Sequence, residues 1–134
     1  MGIKVRWEAE SGRQLEELLD PQNYLGFALQ LPIDKTICLR FIDPYGDTIF
    51  NQKQIPVLIN ELQFVLEQVS AESVAVWIDV LKAQSKMFDL PPKVIGTRTK
   101  NISASAISGH IRQILELANR SMGKTHTYLK FYGE

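Results

Sequence analysis

A chain of 134 residues, 45% hydrophobic and 22% charged, has the makeup of one globular domain that buries about two-thirds of its unfolded surface, which excludes a disordered chain. Its 15 Lys+Arg and 15 Asp+Glu cancel, unlike the basic balance usual in a nucleic-acid domain, and its one cysteine, Cys38, excludes an intramolecular disulfide and a cysteine zinc cluster. The charge is nevertheless uneven along the chain: residues 1–90 carry 8 Lys+Arg against 13 Asp+Glu and residues 91–134 carry 7 against 2, a polarity that folding the two parts together would interleave.

Ile3, Val5, Trp7 and Ala9 alternate with Lys4, Arg6, Glu8 and Glu10, the period of a half-buried strand rather than the unbroken apolar run of a signal peptide. With a lone reduced cysteine and no stretch of eighteen apolar residues, a cytoplasmic protein with no membrane partner is expected. Asp20 and Pro21 supply an N-cap side chain and a first-turn proline for a short helix whose apolar positions are Tyr24, Leu25, Phe27, Ala28 and Leu31. Residues 35–42 alternate again and predict a second strand. Asp43-Pro44-Tyr45-Gly46 then has the residues of a type I turn, forming a hairpin to a short strand from Asp47 to Phe50.

From Gln54 to Val69, the apolar positions Ile55, Leu58, Ile59, Leu62, Val65, Leu66 and Val69 fall at the spacing of an amphipathic helix, with Pro56 confined to its first turn. Ser70 can cap a second helix over 71–88, packed through Val74, Trp77, Ile78, Leu81 and Phe88, although Val74 to Ile78 is also β-prone. Residues 93–103 have no clear period and carry three cations, the signature of a mobile or functional loop. A helix over 105–122 buries Ile107, Ile111, Ile114, Leu115 and Ala118 and stops at Gly123, and Thr125 to Tyr132 alternates as a last strand. Together these elements predict an α+β fold: a small, mainly antiparallel sheet of three to four strands with two or three helices packed on one face.

The segments Phe41-Ile-Asp-Pro-Tyr-Gly-Asp-Thr-Ile-Phe-Asn51 and His126-Thr-Tyr-Leu-Lys-Phe-Tyr-Gly133 resemble segments of small uncharacterised bacterial proteins, covering under a fifth of the chain. The resemblance implies a bacterial cytoplasmic origin and brings no activity, ligand or catalytic residue with it.

Catalytic motifs are not supported. Ala118 to Thr125 approaches a phosphate-binding loop but has alanine where its first glycine belongs, and it runs from a helix into a strand instead of the reverse. Asp43 and Asp47 read as turn residues, His110 as a helix-boundary residue and Cys38 as a small buried hydrophobe. No metal or cofactor is expected.

Strand parity defines a surface instead. If the first, second and last strands share a sheet whose apolar face is Ile3, Val5, Trp7, Ile37, Leu39, Phe41, Leu129 and Phe131, the other face carries Lys4, Arg6, Glu8, Thr36, Cys38, Arg40, His126, Tyr128, Lys130 and Tyr132. Arg6, Arg40, His126, Tyr128, Lys130 and Tyr132 are its candidate binding residues, since Arg and Tyr dominate interface hot spots. The leading expectation is a non-catalytic interaction protein, an immunity-type or regulatory partner that binds a protein or itself. The alternative is a nucleic-acid or phosphate-ligand binder using the cations from Lys93 to Lys130, and the third reading is an enzyme built on His126 and Tyr128.

Overall fold

The computed structural model describes residues 2–30, 36–87 and 103–133, and among these it has four strands, four α-helices and one 3-10 helix. The strands β1 (Lys4–Ala9), β2 (Gln14–Leu18), β3 (Asp47–Phe50) and β4 (Thr127–Tyr132) form one antiparallel sheet in the order β2-β1-β4-β3. The helices are α1 (Tyr24–Gln30), α2 (Ile55–Gln68), α3 (Ala71–Met87) and α4 (Ala104–Ser121). This is the expected α+β class.

The sheet is centred on β1 and β4, paired from Lys4 opposite Tyr132 to Ala9 opposite Thr127. Their apolar side chains Val5, Leu129 and Phe131, together with Phe50 of β3, sit in one buried cluster with Leu25 of α1, Leu58 and Leu62 of α2 and Ile107, Ile111 and Ile114 of α4. Phe50 and Phe131 meet edge to face with ring centroids 5.4 Å apart. The helices therefore cover one face of the sheet, as alternation requires.

Helix boundaries follow local chemistry. Asp20 caps α1, its carboxylate accepting the N–H of Tyr24 at 2.8 Å and of Leu25 at 2.9 Å, but Pro21 stands in a turn before the helix and not in its first turn. Ser103 is the N-cap of α4, its Oγ accepting the N–H of Ala106 at 3.1 Å, and Gly123 takes the positive φ that lets the chain turn back into β4. Except for Ser103, the loop expected over 93–103 lies outside the described residues, as do the side-chain placements expected for Trp77, Leu81 and Phe88. The β-prone stretch from Val74 to Ile78 is helical, with Val74 buried.

Two strand assignments change. The expected strand over 35–42 is, from residue 36 onward, a turn leading into a 3-10 helix at Leu39–Phe41. Cys38, Leu39 and Ile42 are buried, while Ile37 and Phe41 are 63% and 69% exposed, so burial does not follow period two. The cause lies 22 residues away: the buried Glu61 carboxylate accepts the N–H groups of Cys38 and Leu39, each at 3.0 Å, and two neighbouring N–H groups reach one carboxylate from a turn rather than from a strand. The Asp43–Gly46 turn is present, with the Tyr45 N–H on Asp43 Oδ1 at 2.8 Å, but the strand it introduces pairs with β4.

The place next to β1 is taken by β2 through a tight hairpin. Ala9 N–H donates to the Arg13 carbonyl and Gly12 N–H to the Ala9 carbonyl, both at 2.8 Å, with Gly12 at φ 91°. A turn closed by a left-handed residue is the usual build of a short hairpin loop, and glycine adopts that conformation without steric cost.

Leu62 is fully buried at the middle of the α2 stripe. Leu62→Ala should cost about 2 to 5 kcal/mol in urea unfolding, from lost transfer energy plus the cavity left behind, and a loss under about 0.5 kcal/mol would place that stripe at the surface.

Candidate functional site

The face of the sheet opposite the helices presents Lys4, Arg6 and Glu8 from β1, Tyr128, Lys130 and Tyr132 from β4, and Glu17 and Asp47 from the flanking strands. Of these, Glu8 is the anchor. It is only 5% exposed on a face that no described helix covers, because its neighbours close over it. Tyr128 donates its hydroxyl to Glu8 Oε1 at 2.9 Å, and Tyr132 donates to Glu8 Oε2. Arg6 bonds Glu17 and lies 4.0 Å from Glu8, Lys4 lies 4.0 Å from Glu17, and Lys130 lies 3.6 Å from Asp47.

The ring of Tyr132 is ringed by charge. The Lys130 ammonium is 4.6 Å from its centroid, the Arg6 guanidinium 5.0 Å and the Lys4 ammonium 5.2 Å, all within cation–π range. The Tyr128 phenol is held above its ordinary range by its bond to the Glu8 carboxylate and then by burial; the Tyr132 phenol is raised first by burial and then by the same carboxylate. Both tyrosines therefore remain neutral hydroxyl donors at physiological pH.

Sequence parity placed Arg6, Tyr128, Lys130 and Tyr132 together on this face, and the structure brings them together. Arg40 is not among them. It lies in the 3-10 helix, exposed and off the sheet, because the segment that carries it is not a strand. Cys38 is likewise off the sheet and buried, where desolvation, and then Glu61, push its thiol upward. His126 stands just before β4 with φ 61°, its Nδ1 3.1 Å from Glu10, and Tyr128 reaches Glu8 instead, so these two residues serve different carboxylates.

The cation-rich character expected of the face is offset by Glu8, Glu17 and Asp47. Elsewhere in the basic C-terminal part, Arg120 makes a two-pronged bond to Glu16 at 3.1 and 2.7 Å. With His126 on Glu10 and Lys130 on Asp47, residues of the basic part are matched to acids of the first 50 residues. The polarity along the chain is thus interleaved in space. Lys93, Arg98 and Lys100 lie outside the described residues.

A second polar node is buried under the helices. Asp20, which caps α1, lies 3.5 Å from Nε2 of His110 on α4, and this nitrogen is buried with no hydrogen-bond partner among the described residues. The Tyr24 ring stands 6.0 Å from the imidazole. Burial pushes the His110 imidazole below its ordinary value against the opposing pull of Asp20. Sequence reading missed this pair, the capping role of Glu61 and the organising role of Glu8, since each depends on a partner distant in the chain.

Among the described residues no group of three His, Cys, Asp or Glu is placed to hold a metal ion, and no helix is long and apolar enough to cross a membrane. Comparison with family models, curated proteins and solved structures returns no match for this chain.

Two measurements test these nodes. Glu8→Gln removes the carboxylate that disfavours phenolate formation, so the phenolate absorbance of Tyr128 and Tyr132 should appear at lower pH than in the wild type; an unchanged titration would show that Glu8 does not control them. Because His110 takes a proton less readily folded than unfolded, stability should hold above about pH 6.5 and fall as the pH drops below it. Urea unfolding across that range should show the slope, and His110→Gln should flatten it.

Proposed function

We propose that the protein is a non-catalytic interaction module of a bacterial cytoplasm, of the immunity or regulatory type, and that its contact surface is the open sheet face built on Arg6, Tyr128, Lys130 and Tyr132. One observation carries the reading: both tyrosine hydroxyls are bonded to the same buried carboxylate, Glu8, so the aromatic pair is fixed before any partner arrives. Binding to such a face loses little side-chain entropy, and Tyr and Arg offer large contact area with polar tips. The alternating charges around the tyrosines suit a protein partner carrying both signs better than a phosphate backbone, which needs an uninterrupted cationic track. The two segments that resemble small bacterial proteins contain β3 and β4, neighbouring strands of this sheet.

The test is the double variant Arg6→Glu with Tyr128→Ala, which removes one hot-spot aromatic and reverses one charge at the centre of the face. Its thermal midpoint should fall by several degrees, because the buried Glu8 loses a donor and position 6 then opposes Glu17 with like charge, so partners are compared at a temperature where circular dichroism shows the variant folded. A partner cross-linked to the wild type in the native cell should be lost by this variant and kept by Glu67→Lys on the exposed side of α2. An unaltered partner list ends the reading, and steeply salt-dependent binding of RNA or DNA in a polarisation assay would favour the nucleic-acid alternative instead.

A further inference from the structure

His110 stands in the seam between α1 and α4 and is only 7% exposed, yet its Nε2 has no hydrogen-bond partner among the described residues. The groups set against the imidazole come from the α1 side. Asp20 lies 3.5 Å from Nε2, and the Tyr24 ring stands 6.0 Å away with its plane tilted by 49°. The Asp20 carboxylate is already engaged, since it accepts the Tyr24 and Leu25 N–H groups that begin α1. Among the described residues, the other elements packed on α4 bring no unengaged charge to this seam. Glu61 of α2 is bound to the Cys38 and Leu39 N–H groups, Glu16 of β2 is bound to Arg120, and β1 and β4 turn no titratable side chain toward the helices. Arg112 and Glu116 of α4 itself are exposed.

A proton on His110 would charge a nitrogen that is shut away from water, and a charge so placed must be hydrated or paired. Complete unfolding is not needed to hydrate it. α1 is a seven-residue helix that packs chiefly on α4, and its buried residues are Leu25, Gly26 and Ala28. A helix this short has little stability of its own. Releasing it exposes less apolar surface than releasing α2, which buries Ile55, Leu58, Ile59, Leu62 and Val65. Elements with few buried side chains are the ones that open alone.

We infer that α1 is a proton-operated latch: protonation of His110 releases α1 from α4 while the sheet, α2 and α4 stay folded. Opening and protonation favour each other, because the imidazole takes a proton more readily in water than behind α1. The closed state binds fewer protons than the open one. The open fraction therefore rises as the pH falls below about 6.5, by up to about tenfold per pH unit. A pH slope in overall stability would follow from any way of hydrating His110, whereas the latch confines the opening to one helix.

Amide hydrogen exchange in low urea, across pH values from about 7.5 to 5, tests it, each rate being divided by its intrinsic value at that pH. The Leu25, Phe27 and Ala28 amides should exchange through a small opening, with weaker urea dependence and less protection than Leu62 and Val65. Their opening constant should rise by up to about tenfold per unit below about pH 6.5, and His110→Gln should make it independent of pH. Should that variant not fold, the His110 imidazole resonance of the wild type decides: the α1 opening constant must level off once the pH falls below the midpoint at which this resonance titrates, and a mismatch overturns the latch. Urea dependence for the α1 amides equal to that of Leu62 overturns it too, because α1 then opens only when the whole chain does. So does an opening constant that ignores pH, or a pH dependence that survives His110→Gln. Protection of α1 that increases on acidification would show instead that the imidazolium and Asp20 pair to hold the helix closed.

Discussion

A carboxylate removed from water must be given donors, and that requirement fixes the irregular parts of this fold. Glu8, Asp20 and Glu61 are all buried. Asp20 collects the first N–H groups of α1 and so determines where that helix begins. Glu61, projecting from α2, collects the N–H groups of Cys38 and Leu39 and so bends a segment whose side-chain pattern suits a strand. Glu8 collects two tyrosine hydroxyls, and the open face is assembled around it. In each case the regular elements bring the acid to its place and the acid then orders what regular hydrogen bonding leaves over.

The two faces of the sheet have contrasting physics. Beneath, Val5, Leu129 and Phe131 are packed by apolar contact with the helices. Above, strands of the same register hold alternating charge around two aromatic rings, each charge within reach of its opposite. Individual surface pairs of this kind are weak, but a network sharing one buried carboxylate holds its geometry better than isolated pairs.

Local pattern was sufficient where one element's own periodicity decides its burial. The stripes of α2 and α4 and the alternation of β1 and β4 could be read directly, and with them the grouping of Arg6, Tyr128, Lys130 and Tyr132. Arg40 was misplaced because alternation in Ile37, Leu39 and Phe41 says nothing of a carboxylate 22 residues further on that competes for the backbone. β2 was invisible for the opposite reason: Gln-Leu-Glu-Glu-Leu is poor in β-branched and aromatic residues, and only the Ser11-Gly12 pair before it hints at a turn. The Asp20–His110 pair escaped because a histidine beside isoleucines on a helix carries no sign of which acid will be packed against it.

The pairing of β1 with β4 has a consequence in time. Residues 4–9 find their central neighbour only at residues 127–132, so on a growing chain the middle of the sheet closes last. At ordinary rates of synthesis, β1 and its hairpin partner wait on the order of ten seconds with Val5 and Trp7 uncovered by their strand. The helices can form and dock meanwhile, since their contacts with one another are complete before β4 exists, but the sheet cannot be completed in stages. Separation this large between paired strands makes for slow, late and cooperative closure, and a chain stopped after α4 would leave the edge of β1 that faces β4 without a partner, beside one greasy face.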